Sequence, residues 1–148
     1  MKKIGLAIFL SIAGIIALSI YSAGEMGDTS VAFARGKVTV SDDLLASAQG
    51  AKTLFIIVKD SSQPRPPFGA IKVPLNGTVN KNVYDFLLTY DNLTRMIPTK
   101  EWPAVYDIKV RLDFDGMGGM DQPGDLVGSV QKQARGANDL IINIDRKI

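Results

Sequence analysis

The chain contains no cysteine and no histidine among its 148 residues. Without cysteine it has no disulfide, no thiol redox chemistry and no CxxCH haem attachment. Without histidine it has no imidazole ligand for zinc or copper and no histidine-based catalytic triad. Carboxylates, serine and lysine are left as catalytic groups, but they form no constellation that stands out in the sequence. We therefore expect a protein that is not an enzyme and that carries no cofactor.

The chain also lacks a strong charge of either sign. Its 17 Lys and Arg residues face 15 Asp and Glu residues, which gives a formal net charge of +2. No basic block and no stripe of basic and aromatic residues is present of the kind that follows a phosphate backbone. Nucleic acid is therefore not an expected partner. The length and the apolar share of 46% suit one globular domain.

The N-terminal segment is the one long apolar run. Lys2 and Lys3 precede an uncharged stretch at residues 4–20, and this order is typical of a secretory signal. A small-x-small cleavage site follows at Ala32-Phe33-Ala34. About 17 apolar residues are also just enough to span a bilayer, so a retained membrane anchor is the alternative.

Both alternatives place the rest of the chain outside the cytoplasm, because the two lysines stay on the cytoplasmic side. We expect residues 1–34 to be a signal peptide or a membrane anchor with a polar linker. Residues 35–148 are then a periplasmic domain, either anchored by residues 4–20 or secreted after cleavage near Ala34.

From residue 37 onward, short apolar runs separated by Gly, Pro, Asn and Asp predict an all-β domain. The clearest run is residues 106–114, in which apolar side chains alternate with Lys109, Arg111 and Asp113. Such alternation predicts a strand with one buried face and one wet face. Further strands are predicted at residues 37–40, 53–59, 68–75, 82–90 and 140–145.

Residues 53–59 form a nearly continuous apolar run and predict a central strand, whereas residues 82–90 also fit helical spacing, although we favour a strand. Residues 42–49 predict one short helical turn capped by Ser41. About seven strands in roughly 110 residues predict an immunoglobulin-like β-sandwich, preceded by one N-terminal apolar helix.

A proline cluster occupies residues 61–67, with Pro64, Pro66 and Pro67. We interpret it as a surface loop in which proline fixes φ and stops strand extension. The alternative is a polyproline ligand for the groove of a partner.

The stretch DFDGMGGMDQPGD at residues 113–125 raises the question of a metal site. Asp113, Asp115 and Asp121 match the first, third and ninth positions of an EF-hand calcium loop, but the fifth and twelfth positions lack a ligand. Met117 and Met120 offer thioethers, which are soft ligands for Cu(I). We favour a glycine-rich strand connection in which the aspartates support turns, and keep calcium and copper as alternatives.

Several segments together resemble the extracytoplasmic C-terminal domain of the cytochrome c biogenesis family CcmI, also called CycH. The matching segments are residues 38–60, 66–77, 86–96, 105–116 and 122–130, followed by 140–145. The family's polar pair before a methionine reads Asp91-Asn92 here with Met96 after it, and its late QPGDL motif is intact at residues 122–126. The resemblance implies an immunoglobulin-like domain, not an enzyme, that makes protein contacts around apocytochrome c or the haem ligation complex.

Family members carry membrane helices and a tetratricopeptide region before this domain, whereas a single apolar segment precedes it here. An accessory subunit of another membrane respiratory or electron-transfer complex is therefore the alternative. The resemblance and the expected loop positions give candidate partner-binding residues, to which we add the single tryptophan as a possible interface anchor. The candidates are Asp91, Asn92, Met96, Trp102, Gln122, Pro123, Gly124, Asp125 and Leu126. Turn formation and core packing are the alternative roles for these residues.

Overall fold

The computed structural model describes residues 32–97 and 101–148, which belong to one compact unit whose regular secondary structure is mostly β-strand. The strands are β1 (Ala34–Val40), β2 (Thr53–Asp60), β3 (Gly69–Pro74), β4 (Asn82–Leu88), β5 (Thr94–Arg95), β6 (Val105–Asp113), β7 (Leu126–Ala134), β8 (Ala137–Ile144) and β9 (Arg146–Lys147). A 3-10 helix (Asp42–Leu44) continues into a short helix α1 (Leu45–Ala48). The prediction of an all-β domain with two sheets is confirmed. The predicted N-terminal apolar helix lies outside the described residues.

The strands form two sheets. The smaller sheet has the order β4-β1-β8, and the larger one has the order β5-β3-β2-β6-β7-β9. All pairs in the larger sheet are antiparallel, whereas β1 pairs in parallel with β8. The chain leaves the smaller sheet after Ile144 and joins the larger one as β9, so its last residues connect the two. Within the described residues, no helix has the length and apolar character needed to cross a bilayer.

The core lies between the two sheets and is built from alternate residues of their strands. Because successive side chains of a strand point to opposite faces, one apolar residue in two reaches the core. The fully buried side chains include Val38 and Val40 of β1, Leu54, Ile56 and Val58 of β2, Ile108, Val110 and Leu112 of β6, and Ile142 and Ile144 of β8. Each contributes about 1.5 to 3 kcal/mol of transfer free energy.

An aromatic cluster closes one part of this core around Trp102, which is only 3% exposed. Phe33 stacks on the indole with 4.2 Å between ring centroids, and Tyr90, Phe68 and Tyr106 meet it edge-on at 5.8, 5.2 and 5.7 Å. Tyr90 also accepts a hydrogen bond from the Trp102 backbone N–H. The structure therefore places Trp102 in the core rather than at an exposed interface.

Phe33 and Ala34 are part of the folded domain. Phe33 is 4% exposed, its N–H donates to Leu88 O at 2.8 Å, and its carbonyl accepts from Gly136 N and from the hydroxyl of Tyr106. Burial raises the pKa of Tyr106 to about 12, so this hydroxyl remains a hydrogen-bond donor at neutral pH. Ala34 is fully buried at the start of β1. Two of the three residues of the predicted cleavage site are thus core residues.

Two sequence predictions differ from the structure. Ser41 precedes the short helical segment but makes no side-chain capping bond; its hydroxyl instead accepts from the Asn143 side chain at 2.8 Å. The strand β7 was not predicted, and it begins at Leu126, which is fully buried and does not lie in a loop.

Candidate functional site

The outward face of β6 is not an open, wet surface. Lys109 is partly exposed, but Arg111 and Asp113 are only 2% and 1% exposed, so the prediction of a wet face is wrong for these two residues. The physical reason is that the segment after β6 folds back over the outer face of the larger sheet. We call this segment, residues 114–125, the glycine loop.

Three basic side chains hold the glycine loop against the sheet. Lys72 donates to Gly116 O at 3.2 Å, and Arg111 donates to Gly119 O at 2.8 Å and to Asp121 Oδ1 at 3.2 Å. Lys109 forms a second ion pair with Asp121. The guanidinium of Arg111 also lies 4.9 Å from the centroid of the Phe55 ring, its neighbour on β2, in a cation–π contact.

Inside the glycine loop, the aspartates support turns. Asp113 Oδ2 accepts from Gly116 N at 2.5 Å, and Asp115 Oδ1 accepts from Met117 N at 2.8 Å. Gly119 has a φ of +112°, which favours glycine over residues with a side chain. These are the interactions that the turn interpretation predicts.

The acidic metal-ligand candidates do not form a cluster in the described part of the chain. Across residues 32–97 and 101–148, no three acidic side chains form a group able to hold a metal. Asp121 is already paired with Lys109 and Arg111. Met117 and Met120 are 69% and 83% exposed.

A groove of about 650 Å³ lies between the glycine loop and the proline loop, residues 61–67. Its floor is formed by Phe55, Ile57 and Ala70 on neighbouring strands of the larger sheet. The walls are Pro64 to Pro67 on one side and Gly118 to Asp121 on the other. Met96 and Met120 also line it, and both are strongly exposed. The two loops, distant in sequence, therefore enclose a single apolar-floored depression.

The groove carries more positive than negative charge. Four of its residues are cations, Lys59, Arg65, Lys109 and Arg111, against one carboxylate, Asp121. Neither Lys59 nor Arg65 makes an ion pair with another described residue. Burial, together with the charge of Lys109, lowers the pKa of Lys59. The carboxylates of Asp121 and Asp107 oppose this shift without outweighing it.

The other candidate residues near β4 do not share the groove floor. Asp91 is exposed in the turn after β4. Asn92 holds that turn, because its side chain accepts from Thr89 N at 3.0 Å and donates to Leu87 O at 2.5 Å. Of this group, only Met96 lines the groove.

The QPGD segment is tied to the C-terminus. Gly124 N donates to Ile148 O at 3.0 Å, and Ile148 N donates to Asp125 O at 2.9 Å. The Asp125 side chain accepts from Gln122 N at 2.9 Å and lies 3.7 Å from Arg111 Nε. Gln122 and Pro123 are exposed, whereas Asp125 is buried. The segment thus makes the contacts of a structural turn at the back of the glycine loop.

Two carboxylates of the glycine-loop region are expected to respond oppositely to pH. Burial raises the pKa of Asp121, but the hydrogen bonds and charges of Lys109 and Arg111 outweigh it, so the pKa lies below its ordinary value. Burial raises the pKa of Asp113 above its ordinary value, although the Gly116 N–H opposes the shift. A carboxyl whose pKa is lowered by folding stabilises the folded state above about pH 4, and this stabilisation is lost as the pH falls. A carboxyl whose pKa is raised by folding destabilises the folded state above about pH 4, and this cost disappears as the pH falls.

Asp121→Asn should therefore lower the free energy of unfolding at pH 7 by about 1 to 2 kcal/mol, and the difference from the wild type should shrink at pH 3. Asp113→Asn should leave stability at pH 7 unchanged or slightly higher. Urea unfolding followed by circular dichroism at both pH values measures this. Equal losses for the two variants at pH 7 would contradict the assignment.

Sequence reasoning missed the groove as a unit, although a signal for it exists. The apolar run of residues 53–59 places Phe55 and Ile57 on the face opposite the core, which indicates that something covers that face.

Comparisons with models of protein families, with curated proteins and with solved structures found no match for this chain.

Proposed function

We propose that this chain is a non-enzymatic, extracytoplasmic binding protein that assists the assembly of a membrane-associated complex through protein–protein contacts. The observation that carries this proposal is the groove between the proline loop and the glycine loop. It offers an apolar floor, exposed methionines and two cations, Lys59 and Arg65, that form no ion pair with another described residue, a combination suited to a protein ligand. Methionine adapts its shape to different apolar partners, which suits a surface that holds an unfolded or variable chain.

The assembly process we propose is cytochrome c maturation, in the manner of the immunoglobulin-like C-terminal domain of the CcmI/CycH family. Support comes from the position of the segments that resemble that family. Residues 66–77 contribute Pro66, Pro67 and Ala70 to the groove, and residues 105–116 contribute Lys109 and Arg111. The partner in this proposal is apocytochrome c or a subunit of the haem ligation complex, and the N-terminal apolar segment attaches the domain to the membrane.

Co-purification from membranes tests the proposal. The tagged full chain, recovered from a gently solubilised membrane extract, should enrich apocytochrome c or components of haem ligation over a control with an unrelated tagged periplasmic protein. Deletion of the chain should reduce covalent haem attachment to c-type cytochromes, measured by haem staining. Stoichiometric recovery with a mature respiratory complex, together with normal haem attachment, would instead identify an accessory subunit.

A further inference from the structure

We infer that the groove binds a short segment of a partner protein that carries acidic side chains next to large apolar ones. This inference rests on the proposed function, since it specifies the kind of segment that a binding protein of this shape accepts. It goes beyond that function by assigning separate parts of the groove to the two kinds of side chain.

The apolar part is set by the floor. The floor consists of Phe55, Ile57 and Ala70, whose side chains point away from the core. Because the two loops rise on either side of them, the exposed parts of these side chains face the groove. Along β2 the floor runs from Phe55 to Lys59, about 13 Å at the rise per residue of a strand. A floor of this length can hold one peptide backbone with its side chains, and it is longer than the site of a single ion needs to be.

The acidic part is set by charge complementarity. Asp121 compensates Lys109 and Arg111, but Lys59 and Arg65 have no ion-pair partner among the described residues. Arg65 is exposed in the proline wall and Lys59 lies at the end of the apolar floor. Two carboxylates of a bound segment would form ion pairs with Lys59 and Arg65, and they would lie beside the apolar side chains on the floor.

The test begins with an unbiased library of random peptides displayed on phage. The library is selected against the full chain held in phospholipid nanodiscs, after depletion on empty nanodiscs. We expect enriched peptides to combine Glu or Asp with Leu, Ile, Phe or Met, and their affinity to fall as the salt concentration rises. Enrichment of basic or uncharged peptides, or of none, would overturn the inference.

Matched charge reversals then locate the site. In the double variant Lys59→Glu and Arg65→Glu, the selected peptides should bind about tenfold more weakly or worse. The double variant Arg35→Glu and Lys37→Glu makes the same change in net charge on the exposed face of β1, and should bind as the wild type does. Equal weakening in both variants would show that net charge rather than the groove is responsible.

The methionines provide an internal readout by methyl-labelled NMR. Met96 and Met120 line the groove, whereas Met117 is exposed but does not line it. A bound peptide should shift the first two methyl signals and leave the third in place, and shifts of Met117 alone would place the peptide elsewhere.

If the wild type co-purifies its partners but these results fail, only the groove assignment is wrong. If nothing co-purifies with the wild type, the proposed function itself fails.

Discussion

Replacing Trp102 with alanine is expected to lower the free energy of unfolding by about 3 to 5 kcal/mol, the usual cost of deleting a large buried aromatic side chain. The indole is the centre of the aromatic cluster, so four other rings lose a partner at once. Aromatic pairs contribute about 0.5 to 1.5 kcal/mol beyond area burial, which puts this site at the upper end of the range. Urea unfolding followed by circular dichroism measures the loss, because the variant has no tryptophan left to report by fluorescence.

Two comparisons make this prediction specific. Trp102→Phe keeps an aromatic ring in the cluster and should cost clearly less than the alanine variant. Met117→Ala removes an exposed apolar side chain and should change stability by less than about 0.5 kcal/mol. A Trp102→Ala variant as stable as Met117→Ala would contradict a core role for the indole.

The second large effect is expected at Phe33. Phe33→Ala in the full chain should cost about 3 to 5 kcal/mol, since the side chain stacks on Trp102 and is almost fully buried. Ile141→Ala, on the exposed face of β8 beside β1, is the matched control and should change stability little. Urea unfolding of both variants gives the comparison, and similar values for the two would contradict the packing described for Phe33.

This burial bears on N-terminal processing. Cleavage between Ala34 and Arg35 would remove the Phe33 side chain, its carbonyl acceptor and the first residue of β1. We therefore expect the N-terminus of the protein recovered from membranes to lie before Phe33, with the segment either retained or cut further upstream. Intact mass spectrometry decides the point, and a mass corresponding to a chain that starts at Arg35 would contradict the expectation.

The elements that sequence could predict are those whose pattern is local. The strict alternation at residues 106–114 predicts β6 within one residue at each end, because burial on one face fixes the period. The continuous apolar run at residues 53–59 predicts β2 as a central strand, and it lies between β3 and β6. Neither prediction needed knowledge of distant residues.

Strand β7 shows why other elements could not be predicted. Its second half is mostly exposed and polar, and its third residue is Gly128, a residue type that disfavours strands. The glycine is needed because a side chain there would clash with the backbone of β8: the Asn143 carbonyl oxygen lies 2.1 Å from the position of a Cβ atom. Pairing with β6 and this close approach are long-range properties that the local sequence does not contain.

The groove could not be predicted for a related reason. The proline loop and the glycine loop are separate segments of the sequence, with no local pattern that links them, whereas the sheet order β3-β2-β6 brings them to the same face. Arg111 illustrates the difference, because alternation alone assigns it to solvent, yet the returning glycine loop buries it beside Asp121 and Phe55.

The arrangement of β1 has a mechanical consequence. This strand lies in the middle of its sheet, antiparallel to β4 and parallel to β8. A force that pulls along β1 from the N-terminal side loads its hydrogen bonds to both neighbours in shear, so many must break together. A force on the two-residue edge strand β9 would instead peel its few bonds apart one after another. Tension applied through β1 therefore meets more resistance than tension applied through β9.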